Sequence, residues 1–236
     1  MTQQKLAAPL QGHLNFQGPF KPSFDNFIPA NNQIVIQHLQ NIDINSYDWV
    51  YLSGKPGFGK THLLMALFFR SIMLKQPVHY VNLIKPDAAY FLQNWHPDCL
   101  LLADNLQAML GQADNEEILF HLLNRIEQSA LPLLLAGDKD LPELLIKLPD
   151  LGSRLSRFTS YALERLPDDH LNLFIRAYLI RNQINIEDDL LTYLKDRASR
   201  KQSTLIKQLD KILYQTQLSG KLSKPIIRTV LTQTHI

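Results

Sequence analysis

The sequence predicts an α/β fold: a parallel sheet flanked by helices, followed by a small all-helical domain. Three observations predict it. Four short apolar runs, "WVYLSG" (49–54), "VHYVNL" (78–83), "CLLLAD" (99–104) and "LPLLLAGD" (131–138), each end in turn or polar residues and are separated by helix-length segments. Runs of this kind are parallel strands buried on both faces, joined by crossovers. A glycine-rich turn, "SGKPGFGKTH" (53–62), joins the first run to the helical pattern "THLLMALFFRSIML". Beyond residue 168, "DDHLNLFIRAYLIRNQ", "EDDLLTYLKDRASR" and "TLIKQLDKILYQTQL" carry apolar residues at helical spacing with acidic starts.

The elements divide the chain into three regions: a tail over 1–20, an α/β base over 21–163 and a helical domain over 168–236. The 236 residues are ample for one or two domains with a core. A net charge of +2 and a pI near 8.6 are too mild for bulk nucleic-acid binding. The single Cys99 excludes a disulfide framework and fits a reducing cytosol. The N-terminus lacks a basic region followed by an apolar run, and no apolar stretch nears the roughly 20 residues that span a bilayer. A soluble cytoplasmic protein with no membrane partner is expected.

Gly54, Gly59, Lys60 and Thr61 fill the spacing G-x-x-x-x-G-K-[ST] between a strand and a helix. Glycines let backbone N–H groups turn inward to a phosphate, and the helix N-terminus adds partial positive charge. Lys60 is placed to reach the outer phosphates and Thr61 to hold Mg2+. Gly57 and His62, in the same stretch, belong to the candidate nucleotide-binding set. Asp104, at the end of "CLLLAD", is the expected second Mg2+ group. Where ATPases of this kind place another carboxylate to orient water, this chain has Asn105, an amide that cannot accept a proton. Metal binding is therefore expected with weakened hydrolysis. Asp138 ends a further strand on the same sheet edge; it either senses the terminal phosphate through water or caps the following "KDLPELL".

"FDNF" (24–27), "GKTHLL" (60–65), "LLLADNLQ" (100–107) and "LPDLGSRL" (148–155) together resemble the replication initiator DnaA and its shorter relatives among the AAA+ ATPases, over residues 20–236. The resemblance implies an AAA+ phosphate-loop base domain with a helical lid. After lid-like helices the chain ends at "PIIRTVLTQTHI", so no DNA-binding helix-turn-helix domain is expected. In this it resembles the Hda family of regulatory inactivators of DnaA. That likeness implies a short N-terminal motif for the sliding clamp and promotion of ATP hydrolysis on DnaA. "QGHLNF" supplies Gln11, Leu14 and Phe16 for the clamp, with Gly12 where an apolar residue is common, a difference worth ~1–2 kcal/mol.

Arg154 aligns with the family's arginine finger, acting in trans on a neighbour's nucleotide, and Arg157 is the nearby alternative. Where the family commonly has a lid arginine, this chain has Ser203, with Arg200 one turn earlier. Asn105 and Ser203 both favour a static pin, ADP, over hydrolysed fuel, and the cofactors expected are ADP or ATP with Mg2+. The implied partners are DnaA, the clamp, DNA through the clamp, and a homo-oligomeric copy. The alternatives are a self-sufficient AAA+ loader or remodeller and a single-strand-binding module. The histidines lack zinc-site spacing, Trp49 and Trp95 read as packing residues, and Leu119, Phe120, Leu122 and Leu123 as one buried helix face.

Overall fold

The computed structural model describes residues 21–29, 31–165, 167–199 and 202–232. Five parallel strands form one sheet: β1 (Trp49–Ser53), β2 (Val78–Asn82), β3 (Leu100–Asp104), β4 (Leu133–Ala136) and β5 (Thr159–Ala162), in the order β2-β3-β4-β1-β5. The first four coincide with the apolar runs. β5 was not expected, for a physical reason. It is an edge strand, "TSYA", with mostly exposed side chains, and it carries neither an apolar run nor a clean alternation.

Strand residues point alternately to the two faces, so each strand feeds two cores. Trp49, Tyr51, Leu101, Leu133 and Leu135 pack on one face with Leu119, Leu122, Leu123 and Ile126 of α4 (Ala113–Gln128) and Leu151 and Leu155 of α5 (Pro149–Leu155). Val50, Leu52, Leu100, Leu102 and Leu134 pack on the other with α1 (Gln33–Asn41) and α2 (Lys60–Met73). Trp49 is buried core, and its indole N–H donates to the Leu131 carbonyl at 3.2 Å. Trp95, just past α3 (Ala88–Asn94), packs against the α4 side only partly buried. Cys99 is buried, and burial with the nearby Asp98 pushes its thiol up to about 12, so it is an inert packing residue.

The helices α6 (Asp168–Arg181), α7 (Asp188–Arg197), α8 (Gln202–Ser219) and α9 (Lys224–Thr232) gather a third apolar cluster between Leu171 and Leu231. Ile28, from the segment before α1, also packs on it. Among the described residues no helix is long and apolar enough to cross a membrane.

One buried charge sets the position of α5. Glu116, in the first turn of α4, is 0% exposed. Its carboxylate accepts from the backbone N–H groups of Gly111 (2.7 Å), Lys147 (2.8 Å) and Leu148 (2.7 Å). The partial positive charge of the helix start favours an anion there. Leu148 immediately precedes α5, so the same carboxylate fixes where that helix begins. Glu116→Gln replaces one acceptor by a donor facing an N–H group, and is expected to cost about 2–3 kcal/mol in urea unfolding. A loss below about 0.5 kcal/mol would show that the loop before α5 is held by its apolar contacts instead.

Candidate nucleotide site

The phosphate loop runs from the end of β1 into α2. Gly54, Gly57 and Gly59 have φ of 146°, 90° and 97°. At Gly54 a Cβ would lie 3.1 Å from the Leu163 carbonyl oxygen, and Gly59 starts α2 in the left-handed region, so both need glycine. The turn leaves the first N–H groups of α2 without helical partners, which is the arrangement that receives an anion.

Lys60 is 8% exposed, and its ammonium donates to the carbonyls of Gly54 and, at 3.3 Å, Lys55. Burial lowers its pKa; the carboxylates of Asp104 and Asp138 pull it partly back. Asp104, 1% exposed, accepts from the Thr61 hydroxyl at 2.6 Å. The Tyr80 hydroxyl donates to the same oxygen at 3.3 Å, and the Asn105 N–H to the other at 2.9 Å. Burial raises the Asp104 pKa above the usual carboxylate range, against the opposing pull of Thr61, Lys60, Asn105 and Tyr80.

The structure thus brings Gly54, Gly57, Gly59, Lys60, Thr61 and Asp104 together. Asp138 is near enough for its charge to act on Lys60, and one of its oxygens is buried and meets no hydrogen-bond partner among the described residues. It is not a cap, because the 3-10 turn that follows (Leu141–Glu143) begins after Asp140, and Asp140 accepts from the buried Ser53 hydroxyl. His62 faces elsewhere. Its ring lies 5.5 Å from that of Phe27, and Nε2 donates to the Ser23 carbonyl at 3.0 Å, tying α2 to the "FDNF" segment; burial lowers its pKa.

Asn105 has a left-handed backbone (φ 67°), and its amide donates to the Asn82 side-chain oxygen at 3.0 Å. Tyr80 and Asn82 escaped the sequence reading. Both lie in β2, which is half-buried except at Val81 and carries no motif. The β2–β3 register, Asn82 opposite Asp104, was the signal that would have found them.

Arg154 lies on the other face of the sheet from α2. Its guanidinium pairs with Glu127 of α4 and sits 6.0 Å from the Phe120 ring; Arg157 pairs with the other Glu127 oxygen at 2.9 Å. Ser203 falls in the first turn of α8. Arg200, Gln11, Leu14 and Phe16 lie outside the described residues.

Hard oxygen donors beside a phosphate cradle suit Mg2+, which takes one or two carboxylate or hydroxyl groups with phosphate and water. Thr61 and Asp104 are the residues that would hold it, and Lys60 would meet the phosphates. A phosphate loop after β1, a buried carboxylate ending β3 and a helical lid after β5 define an AAA+ nucleotide-binding protein. The chain belongs to the bacterial DnaA ATPase domain family, whose sequence pattern matches residues 20–162. An uncharacterised protein of Haemophilus influenzae is 31% identical over 220 residues, 89% of this chain and 93% of its own length. Domain III of Thermotoga maritima DnaA superposes with a TM-score of 0.70 at 17% identity, covering 90% of this chain and 96% of that one. AMPPCP-bound DnaA from Aquifex aeolicus gives 0.65 at 20% identity, covering 87% and 68%.

Two outcomes follow from the buried charges. Lys60→Ala is expected to weaken adenine-nucleotide binding at least about 100-fold, measured by fluorescent-nucleotide titration. The folded Asp104 carboxyl titrates above an unfolded aspartate, so the folded state holds more protons between those two values and stability falls as pH rises through that window. Asp104→Asn removes this penalty. Without nucleotide at pH 7 the variant is expected to melt about 2–4 °C higher, with the gap closing as pH falls through the window and Mg2+-dependent nucleotide retention lost. A lower melting temperature at every pH would refute the assignment.

Proposed function

We propose that this chain is a nucleotide-pinned adaptor of the kind that inactivates DnaA. It binds ADP or ATP with Mg2+, docks on the DNA-loaded sliding clamp through Gln11, Leu14 and Phe16, and presents Arg154 in trans to ATP held on DnaA. It thereby prevents re-initiation of chromosome replication.

What carries the reading is the state of Asn105. The position after the buried Asp104 has an amide in place of a carboxylate, and that amide is engaged by Asn82. An amide at that position cannot accept a proton from an attacking water. A phosphate-gripping site whose position after Asp104 carries no base suits a nucleotide held as a structural pin. When bound, nucleotide and Mg2+ supply the negative charge that Lys60 faces and a bridge to Thr61 and Asp104. The base domain over 21–163 and the lid over 168–236 then present one fixed surface.

On that surface Arg154 is the group with chemistry to offer. A guanidinium is planar and permanently charged, so it matches the charge that spreads over a transferring phosphoryl group. Its place across the sheet from α2 favours action on a neighbour's nucleotide. The tail motif would keep the chain at the clamp, raising its local concentration near DnaA on the same DNA.

The experiment is hydrolysis of ATP preloaded on DnaA, with clamp-loaded DNA present. The chain is expected to accelerate it, and Arg154→Ala to lose about 10³-fold or more of the acceleration. A Leu14→Ala and Phe16→Ala double variant should lose only the clamp-dependent part. If DnaA-bound ATP is unaffected while the chain alone turns over ATP, it is a self-sufficient AAA+ ATPase acting as a loader or remodeller.

A further inference from the structure

Arg154 is already paired within its own chain. Glu127, in the last turn of α4, divides its carboxylate between two arginines: one oxygen takes Arg154 and the other takes Arg157 at 2.9 Å. Phe120, two helical turns before Glu127 on the same face of α4, lies under the Arg154 guanidinium. The two arginines are not equivalent. The Arg154 side chain is 23% exposed and that of Arg157 is 56% exposed. Beside them the outer face of α5 is bare, since a Cβ on Gly152 would meet nothing within 4 Å.

We propose that Glu127 is a latch that holds Arg154 on α4 and that Arg157 is its release partner. This rests on the reading of Arg154 as a group that acts on a nucleotide triphosphate bound by a second polypeptide. A guanidinium held by a carboxylate and an aromatic face is not free to meet a phosphate. A triphosphate carries more negative charge than one carboxylate and outcompetes it once docking brings it near. Removing one partner of an ion pair ordinarily leaves the other charge uncompensated. Here the departure of Arg154 leaves Glu127 still paired with Arg157, so the exchange breaks one contact and strands no charge. Glu127 and Arg157 are thus positioning residues, and Arg154 alone would touch the neighbour's phosphates. Glu116 keeps the start of α5 fixed throughout, so the change is confined to a side chain.

The latch makes opposite predictions for its two members. Glu127→Gln frees Arg154 and should lower, about threefold, the concentration of this chain that half-maximally stimulates hydrolysis of ATP on DnaA. Arg157→Ala leaves Glu127 to Arg154 alone and should raise that concentration by a similar factor of about three. In both, the half-maximal concentration should move more than the maximal rate. The contact itself is read without any partner, by NMR of ¹⁵N-labelled arginine side chains, with Arg154→Ala assigning the signal. The Arg154 Nε–H resonance should shift and exchange faster with water in Glu127→Gln, and should not exchange faster in Arg157→Ala.

An Arg154 signal unchanged by Glu127→Gln would remove the latch and leave the function reading standing. So would half-maximal concentrations that move in the same direction in both variants, the mark of a shared structural loss. Stimulation that survives Arg154→Ala would remove the trans-acting role and the latch with it.

Discussion

The hydrogen bond from the Thr61 hydroxyl to the Asp104 carboxylate, 2.6 Å long, is the contact on which the site depends. It fastens the first turn of α2 to the end of β3, two strands away from the strand that feeds α2. Lys60 is buried beside it, and Asp138 acts on Lys60 from the end of β4. Lys60 and Asp104 therefore sit where burial opposes their charges, and each offsets the other's cost only in part. Such a cluster is costly in the empty protein and favourable around a phosphate and a divalent cation, which is the stability–function compromise of a binding site. The Tyr80 hydroxyl adds a second donor to the same Asp104 oxygen and reduces that cost from the β2 side.

A second constraint runs along α4. Glu116 at its start grips the backbone that enters α5, and Glu127 at its end grips the arginines at and just beyond the end of α5. The two are eleven residues apart, about three turns or roughly 16 Å along the helix axis. The apolar face between, Leu119, Leu122, Leu123 and Ile126, is packed into the sheet. One helix thus carries a core face and two anionic clamps, one buried and structural, the other partly exposed and exchangeable. The position of Arg154 is inherited from α4 as much as from its own helix.

The two faces of the sheet divide the labour. The face with α1 and α2 carries the chain's own nucleotide site, and its strap through Ser23, Phe27 and Ile28 reaches both His62 and the lid cluster. The other face carries α4, α5 and Arg154. Alternation along β1, β3 and β4 produces both cores from the same strands. Tyr51, on the face with α4 and α5, reaches the segment after β4, where its buried hydroxyl donates to the Lys139 carbonyl beside Asp138.

By itself the sequence determined the parallel sheet, the phosphate loop with Thr61, the strand-end Asp104 as its candidate partner, and the helical character of the region beyond residue 168. These are local patterns: apolar runs, glycines at fixed spacing, a strand-end acid and helical periodicity. Tertiary structure decided what no local pattern encodes. β5 is polar and exposed, so it becomes a strand only because β1 offers it an edge. That Asp138 does not cap the next turn was decided by Asp140, which starts that turn instead. Asn105 is engaged by Asn82 because β2 lies beside β3 in that register, and Glu127 meets Arg154 because α4 and α5 share a face of the sheet. Residues separated by 23 and 27 positions form these pairs. Side-chain chemistry is written in the sequence, but a partner far along the chain is chosen by the register of the sheet and the packing of the helices on it.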